Sequence, residues 1–301
     1  MQRQQRYIAV DWGTTNRRAW LIDREKGALE SYADDQGLLS IPAGGFEVSA
    51  REVRRKFGEW PMLLAGMVGS DKGWHQVPYI SCPADLTALA DGIYWLHSGA
   101  IGIVPGVCQT EGQADVMRGE EVQAIGAVAL GAVGPDGLIC HPGTHSKWVR
   151  MQAGRISGFH TMMTGEIFSL LRTESVLSSQ MQGEPVANSS FDRGLEQALD
   201  GAPLLSALFQ IRAEHMLSKR QLDGASFASG LLIGCDVRAG LATARPDDAI
   251  AIIGNRELSE LYARAIERVG YRSHIVNDGD AFVAGMRAIV DHLDIDQETA
   301  P

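Results

Sequence analysis

Short apolar runs and longer periodic stretches alternate along the 301-residue chain. Tyr7–Val10, Ala19–Ile22, Met62–Leu64 and Ile101–Val104 are compact runs bounded by polar or Gly/Pro residues, the pattern of buried strands. Gly137–His141, Lys147–Gln152, Ala249–Ile253 and Ser273–Val276 repeat it. Ala50–Trp60 reads as a charged surface helix, and VQAIGAVALGAV after Glu121 as a helix with a small-residue face at 124, 126, 127 and 129. Further helices are predicted over 191–200, 203–217, 226–242, Leu258–Val269 and Ala281–Leu293, the last with small residues at Ala284 and Gly285. Gln180–Ser190 is polar and carries Gly and Pro, so it reads as a loop. Strands alternating with helices predict an α/β fold.

Two strand pairs enclose turns with chemistry. The first turn, Asp11-Trp12-Gly13-Thr14-Thr15-Asn16, sets a carboxylate at a strand end before a glycine and two hydroxyls. Glycine lets backbone approach a phosphate, N–H groups and hydroxyls donate to anionic oxygens, and Asp11 can hold Mg²⁺ through water. Strand alternation puts Arg18, not Arg17, on the face of Asn16. The second turn, Pro142-Gly143-Thr144-His145-Ser146, echoes the first without repeating its sequence. His141 and His145 stand four apart, but Pro142-Gly143 lies between them on a strand end, which argues against a zinc pair.

Composition narrows the class. Apolar residues make up 45% of the chain, enough for a sizeable core, and the net charge of −10 argues against nucleic-acid or membrane-surface partners. Cys82, Cys108, Cys140 and Cys235 are scattered without a CxxC pair, as expected of free thiols in a reducing cytoplasm. MQRQQ leads into the first strand with no apolar signal segment, and no apolar run approaches a membrane span. A cytoplasmic protein is expected. The oligomeric state stays open, a homodimer being the commonest form among oligomers.

Two Gly-Thr hairpins opening two halves resemble the actin-like ATPase and sugar kinase superfamily. The strings VDWGTTNRRAW, AGMVGSDKGW, VMRGEE, PGTHSKWV, MTGEIFSLL and SGLLIGCDV, in this order, are similar to the 2-dehydro-3-deoxygalactonokinase family over nearly the full chain. The resemblance implies two actin-like (ribonuclease H-like) α/β domains with an ATP cleft between them. It places an N-terminal domain with a sugar-binding loop at 1–125. A C-terminal domain with an adenosine motif follows at 126–301, its final helix packing at the hinge. It implies transfer of the ATP γ-phosphoryl group to the 6-hydroxyl of 2-dehydro-3-deoxy-D-galactonate. Another sugar or hexonate, or a non-catalytic sugar-responsive regulator, are the competing readings. A regulator needs a DNA-binding segment, for which a strand beginning at residue 7 leaves no N-terminal room.

Residue roles follow the resemblance. Gly13, Thr14, Thr15 and Asn16 would line the phosphates from one side, and Gly143, Thr144 and His145 from the other. Pro142 stands where the superfamily often has Asp, so any carboxylate role there is absent or moved. AIAIIGNREL fits the adenosine motif through Gly254 and Asn255. Glu120, then Glu121, are candidates for the base on the acceptor hydroxyl, with Asp115 behind them, although acidic residues also suit a helix N-terminus without catalysis. Arg18, Arg118 and Lys147 are candidates for the substrate carboxylate. Gly66, Met67, Ser70 and Trp74 form the expected sugar-binding loop, Trp74 being equally at home in a core. Thr164-Gly165-Glu166 is a weaker substrate or structural site.

Overall fold

The structure is a computed structural model that describes residues 5–96, 100–217 and 222–299, with side chains to 293. Most of the opening MQRQQ stretch lies outside the described residues. The chain divides into two compact units: residues 1–136, 150–159 and 278–301, and residues 137–149 and 160–277. The expected division after residue 125 falls inside a helix, and the observed one falls after Asp136.

The first unit contains β1 (Arg6–Trp12), β2 (Arg17–Asp23), β3 (Gly27–Asp34), α1 (Phe46–Phe57), β4 (Met62–Gly66), β5 (Ile80–Ser81) and α2 (Leu86–Asp91). It continues with β6 (Tyr94–Leu96), β7 (Ile101–Ile103), β8 (Val107–Gln109), β9 (Asp115–Met117) and α3 (Glu120–Ala129). Its main sheet runs β3-β2-β1-β4-β7-β6, and β5-β8-β9 form a small second sheet. Strand β1 is antiparallel to β2, with Asp11 opposite Arg18, and parallel to β4, with Trp12 opposite Gly66. It is apolar at almost every position because both faces are covered. Ile8, Val10 and Trp12 pack with Phe46 and Val53 of α1, while Tyr7 and Ala9 pack in a separate cluster.

In the rest of the chain come β10 (Gly137–His141), β11 (Ser146–Gln152), β12 (Arg155–Met162), α4 (Thr164–Glu174), α5 (Ser189–Leu199) and α6 (Leu204–Leu217). Then follow α7 (Gly224–Gly240), β13 (Ala249–Gly254), α8 (Arg256–Val269), β14 (Arg272–Asn277) and α9 (Asp278–Thr299). The sheet order β12-β11-β10-β13-β14 repeats β3-β2-β1-β4-β7 in topology: a hairpin with a third strand outside it, then parallel strands. The echo between the two turns in the sequence is therefore an echo between two sheets. Leu138, Cys140, Ile250 and Ile252 pack on Phe191, Ile233 and Val237 of α5 and α7. A 20-residue stretch from Gly224 to Thr243 has the length and apolarity of a membrane span, contrary to the sequence reading, but most of it is buried in the protein, as in a core helix.

The final helix, α9, groups with the first unit. It packs on α3 at the small residues of both helices. A Cβ on Gly126 would lie 1.7 Å from the Ala281 carbonyl oxygen, and one on Gly285 would lie 2.0 Å from that of Val122. Backbone touches backbone here, so no rotamer change makes room. Gly126→Val is expected to lower stability by about 3 kcal/mol or more, read as a lower urea midpoint.

Candidate active site

The first turn is held from outside by the segment after β3. N–H groups of Gly37, Leu38 and Leu39 donate to the carbonyls of Thr15, Gly13 and Thr14 at 3.1, 2.9 and 3.1 Å, and Gly13 N–H donates to Asn16 O at 2.9 Å. With three carbonyls drawn inward, the exposed residues Thr14, Thr15 and Asn16 form the outward face. Arg17 fixes the base of the turn. It is buried, bonded to Asp34 and to Ser49, and lies over the Trp12 ring.

Arg18 lies on the face with Asp11, as alternation requires, but not as an open anion site. Its Nη2 donates to Asp11 Oδ2 and its Nη1 to Asp278 Oδ2, both at 2.6 Å. Arg18, expected on a substrate carboxylate, has both ends of its guanidinium on carboxylates of the chain itself. Burial pushes the Asp11 carboxyl up; Arg18 pulls it down, and the charges of Asp278 and Glu120 raise it further. Asp11, Asp278 and Glu120 thus form one acidic neighbourhood with a single arginine inside it. Among the described residues no three metal-ligating side chains are gathered tightly enough to hold an ion by themselves.

At the start of α3 the two candidate bases separate. Glu120 is partly buried and its Oε2 accepts the Arg118 N–H at 3.1 Å. Glu121 is fully buried, and its Oε1 and Oε2 both accept the Gly119 N–H, at 2.8 and 2.7 Å. Burial first, and the Glu120 charge second, push the Glu121 carboxyl up to about 8. It is therefore largely a neutral, inward helix cap at pH 7. A carboxyl held above its unfolded value binds its proton more tightly in the folded state, so stability falls as pH rises from the unfolded range near 4.5 to about 8. Glu121→Gln is expected to flatten that slope, gaining a few kcal/mol on wild type at pH 8 relative to pH 4.5 in urea unfolding.

The expected sugar-binding loop is tightly folded. Gly66 closes β4, and the N–H groups of Ser70 and Trp74 donate to Met67 O and Val68 O at 3.0 and 2.8 Å. Trp74 lies parallel to Phe46 with centroids 6.4 Å apart and packs on the α1 core, so its ring is at least partly structural. Arg118 is more suggestive. It is buried against Tyr79, and Nη2 donates to Val77 O at 2.8 Å. Its Nε and Nη1, and the buried Ser70 hydroxyl, have no hydrogen-bond partner among the described residues. Met67 is half-buried beside them, and Asp115 lies in β9.

In the second unit, the expected phosphate loop and adenosine motif share a cavity of about 850 Å³. Gly143 and Thr144 line it with Asn255 and Leu258. This size suits a nucleotide-scale ligand. Asn255 caps α8, its side chain accepting the Leu258 N–H at 2.9 Å, and Gly254 packs close to Pro142. Lys147, expected on a substrate carboxylate, is buried with Nζ donating to His145 O at 3.2 Å, which makes it a brace for the loop. His145 is exposed, with Nε2 2.5 Å from Glu166 Oε2, while His141 is buried in β10.

Three features of the two units escaped the sequence reading. Asp278, which completes the Arg18 bridge, reads in sequence only as part of a polar turn. Glu184, Pro185, Val186 and Ala187 wall the cavity, although their composition signals a loop and nothing more. Asp236 is the lone carboxylate in the apolar string GLLIGCDV, and that isolation is a usable signal.

The model of the family described as 2-keto-3-deoxy-galactonokinase matches residues 11–289. The chain is 36% identical to 2-dehydro-3-deoxygalactonokinase of Escherichia coli (strain K12) over 288 residues, 94% of this chain and 97% of that protein. A crystal structure of a candidate 2-dehydro-3-deoxygalactonokinase from Sinorhizobium meliloti superposes with a TM-score of 0.87 at 30% identity, covering 95% of this chain and 99% of the other. Component A of the (R)-2-hydroxyglutaryl-CoA dehydratase of Acidaminococcus fermentans shares the fold alone, with a TM-score of 0.52 at 12% identity over 97% and 100% of the two chains. The matched span takes in both Gly-Thr hairpins, the acidic start of α3 and the cavity-lining helix α8, and by it the chain belongs to the 2-keto-3-deoxy-galactonokinase family.

Proposed function

We propose that this protein transfers the γ-phosphoryl group of ATP to the 6-hydroxyl of 2-dehydro-3-deoxy-D-galactonate. Family membership and the names of its relatives support the substrate. The observation that carries the nucleotide half is the meeting of Gly143-Thr144 with Asn255 in one cavity. The reading gives the adenosine to the second unit. It gives the acceptor chemistry to Asp11, the Thr14–Thr15 turn and Glu120 of the first unit.

The acidic neighbourhood fits a magnesium ion. Mg²⁺ keeps several waters and needs only one or two carboxylates beside the phosphates, so Asp11 suffices as its protein anchor, directly or through water. Two carboxylates, Asp11 and Asp278, meet one guanidinium, and the charge of Glu120 acts on Asp11 as well, which leaves net negative charge there. When bound, the ion neutralises charge on the transferring phosphate. Glu120 orients the sugar hydroxyl and accepts its proton as the oxygen attacks phosphorus. The buried Arg118 donors and the Ser70 hydroxyl suit the substrate's carboxylate, because a guanidinium N–H without a protein partner costs free energy until a ligand meets it. Four free cysteines fit a reducing cytoplasm.

The test is ADP release by the purified protein with Mg-ATP and a panel of sugar acids and hexoses. Rapid turnover with 2-dehydro-3-deoxy-D-galactonate supports the proposal. Turnover confined to another hexonate or hexose moves the acceptor, and none with any sugar leaves a non-catalytic regulator.

A further inference from the structure

We propose that Asp236 is a positioning residue for the nucleotide: one buried carboxylate ties the exit of the Gly143–His145 loop, the platform beneath that loop and the adenosine helix into a single rigid seat. The inference rests on the kinase reading above and names a residue which that reading does not use.

Asp236 lies on α7, enclosed by apolar neighbours and 3% exposed. Its partners are three hydroxyls and an indole N–H. Oδ2 accepts from the hydroxyls of Ser146, Thr164 (2.5 Å) and Tyr262 (2.6 Å), and Oδ1 accepts from Trp148 Nε1 at 2.6 Å. The donors come from the strand β11 and the helices α4 and α8. A carboxylate is acceptor-only, so every donor must turn its hydrogen inward, and all the hydroxyl rotors are fixed at once.

The three hydroxyl ties reach the candidate nucleotide site, while Trp148 anchors the carboxylate in the core. Ser146 is the residue after His145, so its bond anchors the loop where it enters β11. Thr164 opens α4, and the next two residues carry the loop directly. The absent side chain of Gly165 lets the Gly143 carbonyl approach, since a Cβ there would lie 2.4 Å from that oxygen. Glu166 N–H donates to Thr144 O at 2.9 Å, and its carboxylate meets His145. Tyr262 stands on α8, the helix capped by Asn255, and both Thr164 and Tyr262 line the cavity. A phosphate loop gains from such bracing because preorganised donors need no rearrangement when the anion arrives. If Asp236 were only a core staple, its loss would lower stability without singling out one substrate.

The experiment is steady-state kinetics on Asp236→Asn and Ser146→Ala, varying ATP and the sugar acid separately, together with direct binding of a fluorescent adenine nucleotide to each. Asn sets a donor against either Trp148 or the hydroxyl trio, and Ala severs the loop anchor while leaving the carboxylate three partners. The expected result is a rise in KM for ATP and in nucleotide Kd of roughly tenfold or more in Asp236→Asn, the scale of a lost charged hydrogen bond. A smaller rise of the same kind is expected in Ser146→Ala, and KM for the sugar acid stays within about twofold of wild type in both. Should Asp236→Asn fail to fold, Ser146→Ala and Tyr262→Phe, which keeps the ring, carry the test. Unchanged nucleotide affinity in folded variants, or equal rises in both KM values, overturns the role of Asp236. Wild-type protein that binds the nucleotide but phosphorylates no sugar overturns the kinase reading and leaves Kd to judge Asp236; wild type that binds no adenine nucleotide overturns both.

Discussion

Asp11→Asn lowers kcat/KM by roughly a thousandfold, a loss of about 4 kcal/mol of transition-state stabilisation, and leaves the protein folded. The two halves of this expectation have separate grounds. Catalysis falls because phosphoryl transfer depends on positioning and charge neutralisation, and Asp11 is the carboxylate that ends β1 beside the Thr14–Thr15 turn. Stability holds because the ionised carboxyl is not a strong asset to the fold. Burial raises its proton affinity, so folding favours the neutral carboxyl, and the ionised form detracts from stability above the unfolded carboxylate range. Asn removes that burden and keeps an oxygen for Arg18, whose other end remains on Asp278. The expected pair of measurements is therefore a collapse in ADP release and an unfolding midpoint at pH 7 no lower than that of wild type. Normal turnover by folded Asp11→Asn protein would remove Asp11 from the metal site.

The elements legible in the sequence are those buried on both faces or periodic over three turns. The runs Tyr7–Val10 and Ala249–Ile253 have no polar alternative, and α8 combines a capping Asn255, an apolar stripe and a closing Gly270. The elements that escaped are short or wet. Strand β3 is an edge strand with five exposed residues and no alternation to read. Helix α4 has no fully buried residue, so its core face is weakly marked; Phe168 and Leu171 pack half-buried on the α6 and α7 cluster, and Thr164 ties the start of the helix to Asp236. Helix α1 begins at Phe46 rather than at 50, because its apolar stripe of Phe46, Ala50, Val53 and Phe57 starts a turn earlier than its charged positions suggest.

The site divides along the same line. Turn residues announce themselves: Gly13, Thr14 and Thr15 on one hairpin and Gly143 and Thr144 on the other are visible because few other structures need that pattern. Charged residues do not reveal their partners. Arg18 and Lys147 read as anion ligands, and the fold spends one on Asp11 and Asp278 and braces the 145 carbonyl with the other. Asp278 and Asp236 are remote in sequence from the groups they meet, so only the folded chain brings them together. Arg118 is the opposite case, a charge the fold leaves incompletely satisfied.

That contrast between used and poised groups decides the second large effect, at the start of α3. Glu120→Gln is expected to lower kcat by about 10²–10⁴-fold with little change in KM for the sugar acid, the signature of a proton acceptor lost from the transition state. Sequence alone places Glu120 ahead of Glu121 without a contact to separate them, since both sit in a first helical turn. The fold separates them: Glu121 points inward onto the Gly119 N–H with its carboxyl pushed up to about 8, whereas Glu120 stays partly exposed and electrostatically coupled to Asp11. Glu121→Gln should therefore keep kcat within about an order of magnitude, because Gln keeps the oxygen that caps the helix. Measuring both variants against ATP and the sugar acid sets the assignment. A rise in KM alone for Glu120→Gln would make that residue a binding group, and a collapse of kcat in Glu121→Gln with Glu120→Gln active would exchange their roles.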